Sequence, residues 1–106
     1  MTIERPTLDV YNFVSEPKNL PHWASGLSAA VKVRFAERNK FGVLDHFVSV
    51  DAGPEVYMPM RVFPNGEGAE VLITVFRLPG VSDEKFAEDT QWVRRDLEAL
   101  KALLEK

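Results

Sequence analysis

The chain has no cysteine, which excludes disulfides, thiol nucleophiles and thiolate metal sites. It has two histidines, His22 and His46, far apart and without an HxH or HxxxH partner. A zinc site would need both of them and carboxylates gathered by the fold. A basic surplus is missing as well: 13 Lys and Arg stand against 16 Asp and Glu, a net charge of −3. The cations are scattered, with Lys32, Arg34 and Arg38 in one segment and Arg94 and Arg95 in another. Phosphate backbones require a concentrated basic face, so nucleic acid is not an expected partner. No run approaches the roughly 18 apolar residues of a membrane span. The opening Met1–Pro6 lacks the basic-then-apolar layout of a secretion signal. A cytoplasmic protein is the expectation, with no metal or other cofactor implied.

What is present fits one domain, residues 1–106, with 45% hydrophobic and 27% charged residues. The most informative stretch is the last 25 residues, Ser82 to Lys106, which run without Gly or Pro. Phe86, Thr90, Val93, Leu97, Leu100 and Leu104 recur there at alternating steps of four and three, one stripe of a long helix. Ser82 is placed to cap it, with Asp83 and Glu84 at its positive end.

Upstream, Thr2–Arg5 reads as a short strand stopped by Pro6. Thr7 can cap a helix carrying Val10, Phe13 and Val14, ended by Ser15-Glu16-Pro17. A second short helix starts with Pro21 in its first position and closes at Gly26. Four strands follow, at Ala30–Arg38, Val43–Val50, Glu55–Phe63 and Glu70–Leu78. Pro59 inside the third predicts an edge position or a bulge, because proline cannot donate to the ladder. Pro64 to Gly68 reads as a hairpin loop. The order β-α-α-β-β-β-β-α predicts an α+β domain with an antiparallel sheet.

Ile3-Glu4-Arg5-Pro6, Val10 to Ser15 and Pro17 to Trp23 resemble the opening of the START-like SRPBCC superfamily. That group includes polyketide cyclase/dehydrase-like and lipid-transfer proteins. Arg34 to Asn39, Phe41 to His46, Met60 to Val62, Glu70-Val71, Thr74 to Arg77 and the closing helix are similar to a bacterial, uncharacterised branch of it. The resemblance implies a helix-grip fold: two short helices after the first strand, and a curved antiparallel sheet around the C-terminal helix and an apolar cavity. One departure stands out. Gly26 to Ala30 joins helix and strand directly where family members carry a further hairpin. A sheet one hairpin short has an exposed edge and the cavity an open wall, which predicts a homodimer.

Several residues are candidates for chemistry. His46 lies on the more apolar face of its strand, with Leu44, Val48 and Val50. There it is a general base, a ligand anchor, or a core histidine satisfied by a neighbour. Asp45 points the other way and is expected to pair with Arg34 or Arg61. Val56, Met58, Met60 and Val62 form an apolar strand face, either pocket lining or plain core. Thr74 and Glu70 are possible polar anchors, Glu70 more simply a solvated strand end. Trp23 and Trp92 cover a cavity mouth or core, or Trp92 marks a dimer contact. The expected ligand-binding set is therefore His46, Met58, Met60, Trp23, Thr74, Phe86, Val93 and Leu97. Three functions compete: a hydrophobic-ligand binder for a lipid, polyketide or isoprenoid; a cyclase/dehydrase-type enzyme using His46 with Glu70 or Tyr57; and a non-catalytic dimerising domain.

Overall fold

Pro59 has no N–H to give, and the ladder breaks there. In the computed structural model, which describes residues 1–24, 31–50 and 53–106, the expected third strand is two. These are β4 (Val56–Met58) and β5 (Met60–Asn65), on either side of Pro59. The described residues accordingly hold two three-stranded antiparallel sheets in place of one. One has the order β1 (Thr2–Ile3), β6 (Gly68–Ile73), β5; the other has β2 (Val31–Phe35), β3 (His46–Val50), β4.

The sheets meet through the segment before β3. Leu44 N–H donates to Met60 O (2.8 Å) and Val62 N–H to Gly42 O (2.9 Å), with Val43 bridged to Arg61. Gly42 permits this approach. Its φ is +71°, and a Cβ there would stand 1.9 Å from Val62 O, an impossible contact. One expected strand, Val43–Val50, thus serves both sheets, its first part on β5 and its second on β4.

The β5–β6 hairpin is tighter than expected. Pro64 and Asn65 belong to β5 and Gly68 to β6, leaving a two-residue turn in which Gly66 takes φ +62°. Positive φ at that position matches the right-handed twist of the strands. The last strand is displaced to match: β6 begins at Gly68 and ends at Ile73, short of Leu78.

Among the described residues, three α-helices complete the α+β arrangement. α1 (Thr7–Ser15) has Pro6 at its N-cap and no side-chain cap, so Thr7 is its first residue and not its cap. Asp9 lies in its first turn as expected. A 3₁₀ turn (Pro17–Asn19) leads into α2 (Leu20–Trp23) with Pro21 near its start. The expected stop at Gly26 and the short junction to Ala30 lie outside the described residues. α3 (Asp83–Leu104) is capped by Ser82, whose Oγ accepts from Lys85 N–H at 3.1 Å.

The core joins α1, both ends of the chain and the β1–β6–β5 sheet. Ile3, Val10, Val14, Met60, Val71 and Leu100 are fully buried. Tyr11 closes one side: its hydroxyl accepts from Asn39 N–H (2.8 Å), and the Arg38 guanidinium stands 5.0 Å over its ring. Arg38, expected within the strand, lies beyond β2 and donates to Ser15 Oγ and Asn12 Oδ1, both at 2.7 Å. The C-terminal end of α3 is strapped to β1. Lys101 Nζ donates to Thr2 O (2.8 Å), Arg5 Nη1 to Leu104 O (2.8 Å) and Glu4 N–H to Glu105 Oε2 (2.7 Å).

Candidate functional site

The stripe of α3 is covered only in its last third. Leu100 and Leu104 are buried, whereas Phe86, Thr90, Val93 and Leu97 are half-buried. The N-terminal end is held by Arg77, which pairs with Asp83 at 2.5 Å and lies 6.0 Å over the Phe86 ring. Between this half of the helix and the chain from β6 onward runs an open groove of about 400 Å³. Ile73 and Val75 form one wall, Val93 and Leu97 the other, with Thr90 and Arg94 at the side. Met1 and Glu98 complete the lining. The volume is at the small end of ligand sites, and the apolar walls with few polar groups have their usual character.

A second hollow of about 530 Å³ adjoins it and is polar, lined by Gln91, Arg94, Arg95 and Glu98 with Ala87 and Thr90. The two share Thr90, Arg94 and Glu98.

Of the expected ligand-binding residues, Val93 and Leu97 line the groove. The others lie elsewhere. Met60 is fully buried in the core and Trp23 nearly so, its Nε1–H without an acceptor among the described residues. Met58 is half-buried opposite His46 in the β3–β4 ladder. Phe86 lies under Arg77, outside the groove lining. Thr74 is exposed on the other side of the sheet, because the alternation that turns Val71 and Ile73 inward turns Leu72 and Thr74 out. Val75, which shares the face of Val71 and Ile73, lines the groove; because both faces of this strand are largely apolar, parity alone did not say which one is inside.

His46 is 8% exposed and lines neither hollow. Its ring packs 5.2 Å from that of Phe35, its partner across the β2–β3 ladder. Nδ1 lies 3.1 Å from Leu44 O, a carbonyl that can only accept, so Nδ1 carries a proton and in the neutral ring Nε2 is the acceptor. Burial pushes its pKa below the ordinary value, with the Leu44 carbonyl opposing weakly. The structure does not bring it together with Glu70 or Tyr57. Tyr57 stacks on Phe47 (5.2 Å) on the opposite face, and Glu70 accepts from Thr2 Oγ1 at 2.8 Å. Glu70 is thereby a half-buried tie to β1 and not a solvated strand end.

Asp45 has the richest set of partners. Its carboxylate is paired with Arg61, as one of two expectations had it, while Arg34 pairs with Glu55 at 3.0 Å. It also accepts from Tyr57 Oη at 2.5 Å and from Met60 N–H at 2.9 Å. The Met60 bond stands where the ladder is interrupted at Pro59, so the side chain replaces a missing backbone acceptor. These partners close the site structurally, and they leave the carboxylate no free approach for a substrate.

Beyond Asp45 the outer sheet face is aromatic and exposed. The Arg34 guanidinium lies 4.4 Å from the Phe47 ring centre, Phe47 on Tyr57, and Tyr57 6.2 Å from Phe76. Phe63, Leu72 and Phe76 are each more than two-fifths exposed.

Among the described residues no group of three or more His, Asp or Glu could hold a metal ion, and no helix is long and apolar enough to cross a membrane. Neither protein-family models nor curated protein sequences match the chain.

Proposed function

We propose that the protein binds a hydrophobic small molecule, of lipid, polyketide or isoprenoid type, in a START-like helix-grip frame. The observation that carries this reading is the groove between the Ile73–Val75 segment and the Val93–Leu97 turn of α3. Burying apolar surface there gains about 25 cal/mol per Å² removed from water. The order of elements and the resemblance of the opening and closing segments to SRPBCC proteins support the frame. A purified sample examined by native mass spectrometry is expected to carry or take up an apolar molecule of matching size. Val93→Trp, which fills the groove from a half-buried helix position, abolishes uptake. Equal uptake by both proteins refutes the reading.

A second reading rests on the outer sheet face. Tyr57, Phe63, Leu72 and Phe76 form an exposed apolar patch, suited to a homodimer in which a second copy covers it. Light scattering on Leu72→Lys/Phe76→Lys and on the parent chain tests it. Loss of dimer in the variant supports the reading, and a monomeric parent at tens of micromolar sinks it.

The cyclase/dehydrase alternative has His46 as its acid–base group. The closed surroundings of that ring give it no specific support, and hydrophobic-ligand binding is the better reading.

A further inference from the structure

The groove changes character along α3, and one cation stands at the change. Ile73, Val75, Val93 and Leu97 make its apolar half, and Gln91, Arg94 and Arg95 make the polar hollow beside it. Arg94 lines both. Among the described residues its guanidinium has no ion-pair or hydrogen-bond partner. The other charges facing this point are accounted for. Arg95 lies 5.5 Å over the Trp92 ring, which leaves its charge in place. Glu98, one helical turn on from Arg94, forms no ion pair with it. Arginine N-terminal to glutamate is the weaker order for an i,i+4 pair, and the macrodipole opposes it. The chain's amino group is engaged by Val71 O at 2.9 Å and by Glu70 at 3.7 Å. Two cations therefore face one anion at the polar end, and the better-placed cation is uncommitted.

Resting on the binding reading above, we propose that the ligand is a single-chain amphipathic carboxylic acid. Its hydrocarbon lies between β6 and α3 and its carboxylate is held by Arg94. A planar guanidinium offers two parallel N–H donors to a carboxylate, and such charge-assisted bonds are about twice as strong as neutral ones. Arg95 and the Gln91 amide stand on the same side of the helix to complete the head-group shell. An alcohol of the same length gains the hydrocarbon term alone, and a quaternary ammonium meets two like charges.

The test is calorimetric titration with dodecanoate, dodecanol and dodecyltrimethylammonium, each below its critical micelle concentration. The parent protein, Arg94→Gln and Val93→Trp are compared. Dodecanoate is expected to bind the parent about tenfold or more tightly than dodecanol, a ratio typical of one charged hydrogen bond. Arg94→Gln is expected to lower dodecanoate affinity about tenfold and dodecanol affinity far less, because the alcohol makes no charged bond to the guanidinium. Val93→Trp weakens both. Equal binding of acid and alcohol to the parent, still blocked by Val93→Trp, overturns the head-group assignment and leaves the groove as a binding site. Tighter binding of the ammonium compound overturns it in favour of Glu98. No binding of any of the three overturns both readings.

Discussion

Asp45→Ala should be among the most costly single substitutions in this chain. The Asp45 side chain is only 12% exposed and satisfies three donors. Removing it orphans the Met60 N–H, a buried donor whose desolvation is worth about 1–3 kcal/mol. It also removes the carboxylate acceptor of Tyr57, a charged hydrogen bond of about 1.5–3 kcal/mol when fully formed. Tyr57 is 39% exposed and regains part of that from water. The Arg61 side chain is 42% exposed, so its ion pair adds less than about 1 kcal/mol. About 3 kcal/mol in all is expected, a drop in Tm of roughly 10–15 °C for a domain this size.

Urea denaturation followed by circular dichroism measures it, and Asp45→Asn supplies the control. The amide oxygen still accepts from Met60 N–H, while the charge and the second acceptor, the one Tyr57 Oη uses, are lost, so Asn should cost clearly less than Ala, about 1–2 kcal/mol. In a double-mutant cycle with Tyr57→Phe the coupling should reach about 1 kcal/mol. If Asp45→Ala costs less than about 1 kcal/mol, or Asn costs as much as Ala, the carboxylate does not replace a ladder bond and the reasoning is wrong.

Two further outcomes are expected. Leu100→Ala, at a fully buried position, should cost about 3 kcal/mol, whereas Val93→Ala, beside the open groove, should cost under about 1; equal costs would mean that α3 is packed along its whole length. Because burial lowers the His46 pKa in the folded chain below its ordinary 6.5, the unfolded chain takes the proton more readily. The stability from keeping it neutral is complete above pH 6.5 and lost as pH falls below that, toward the depressed folded value. His46→Leu should flatten this part of the profile, read as the urea midpoint at pH 7.5, 6 and 5, and parallel profiles would remove His46 as the cause.

The sequence patterns carried the elements further than the contacts. The α3 stripe and its Ser82 cap follow from local chemistry, side-chain spacing and an orphan N–H; Pro59 marked an irregularity through its missing donor, expected as an edge or bulge and found as a break between two sheets. Parity along strands put Leu44, His46, Met60 and Val62 inward correctly, since each is buried. It failed for Val56, 39% exposed on the same face, at the start of the three-residue edge strand β4. Thr74 was counted as a pocket anchor although its parity partners Leu72 and Phe76 are exposed; the apolar character of both faces hid which one was inside. Asp45 was legible as a partner of Arg61. Its bond to Met60 N–H was not, because it depends on how two sheet halves meet at Gly42 and Pro59. Nor does spacing reveal how far a stripe is covered, which is a distance between elements far apart in sequence.

That last distance is what the proposed binding reading rests on. Three hydrogen bonds strap the C-terminal end of α3 to the chain around β1, while its first turn is held through Arg77. β6 leaves the ladder after Thr74 N–H has reached Pro59 O, so the sheet stops while the stripe continues. Phe86, Val93 and Leu97 are then apolar groups carried past their cover, and their half-exposed surface is a standing free-energy gain for any apolar molecule that fits beside them. A helix that served only to close the core would gain by turning polar beyond Leu97. This one stays apolar at Val93 and Phe86, and at the groove's edge it places Arg94, which has no ion-pair partner among the described residues, where the charged end of the proposed ligand would emerge.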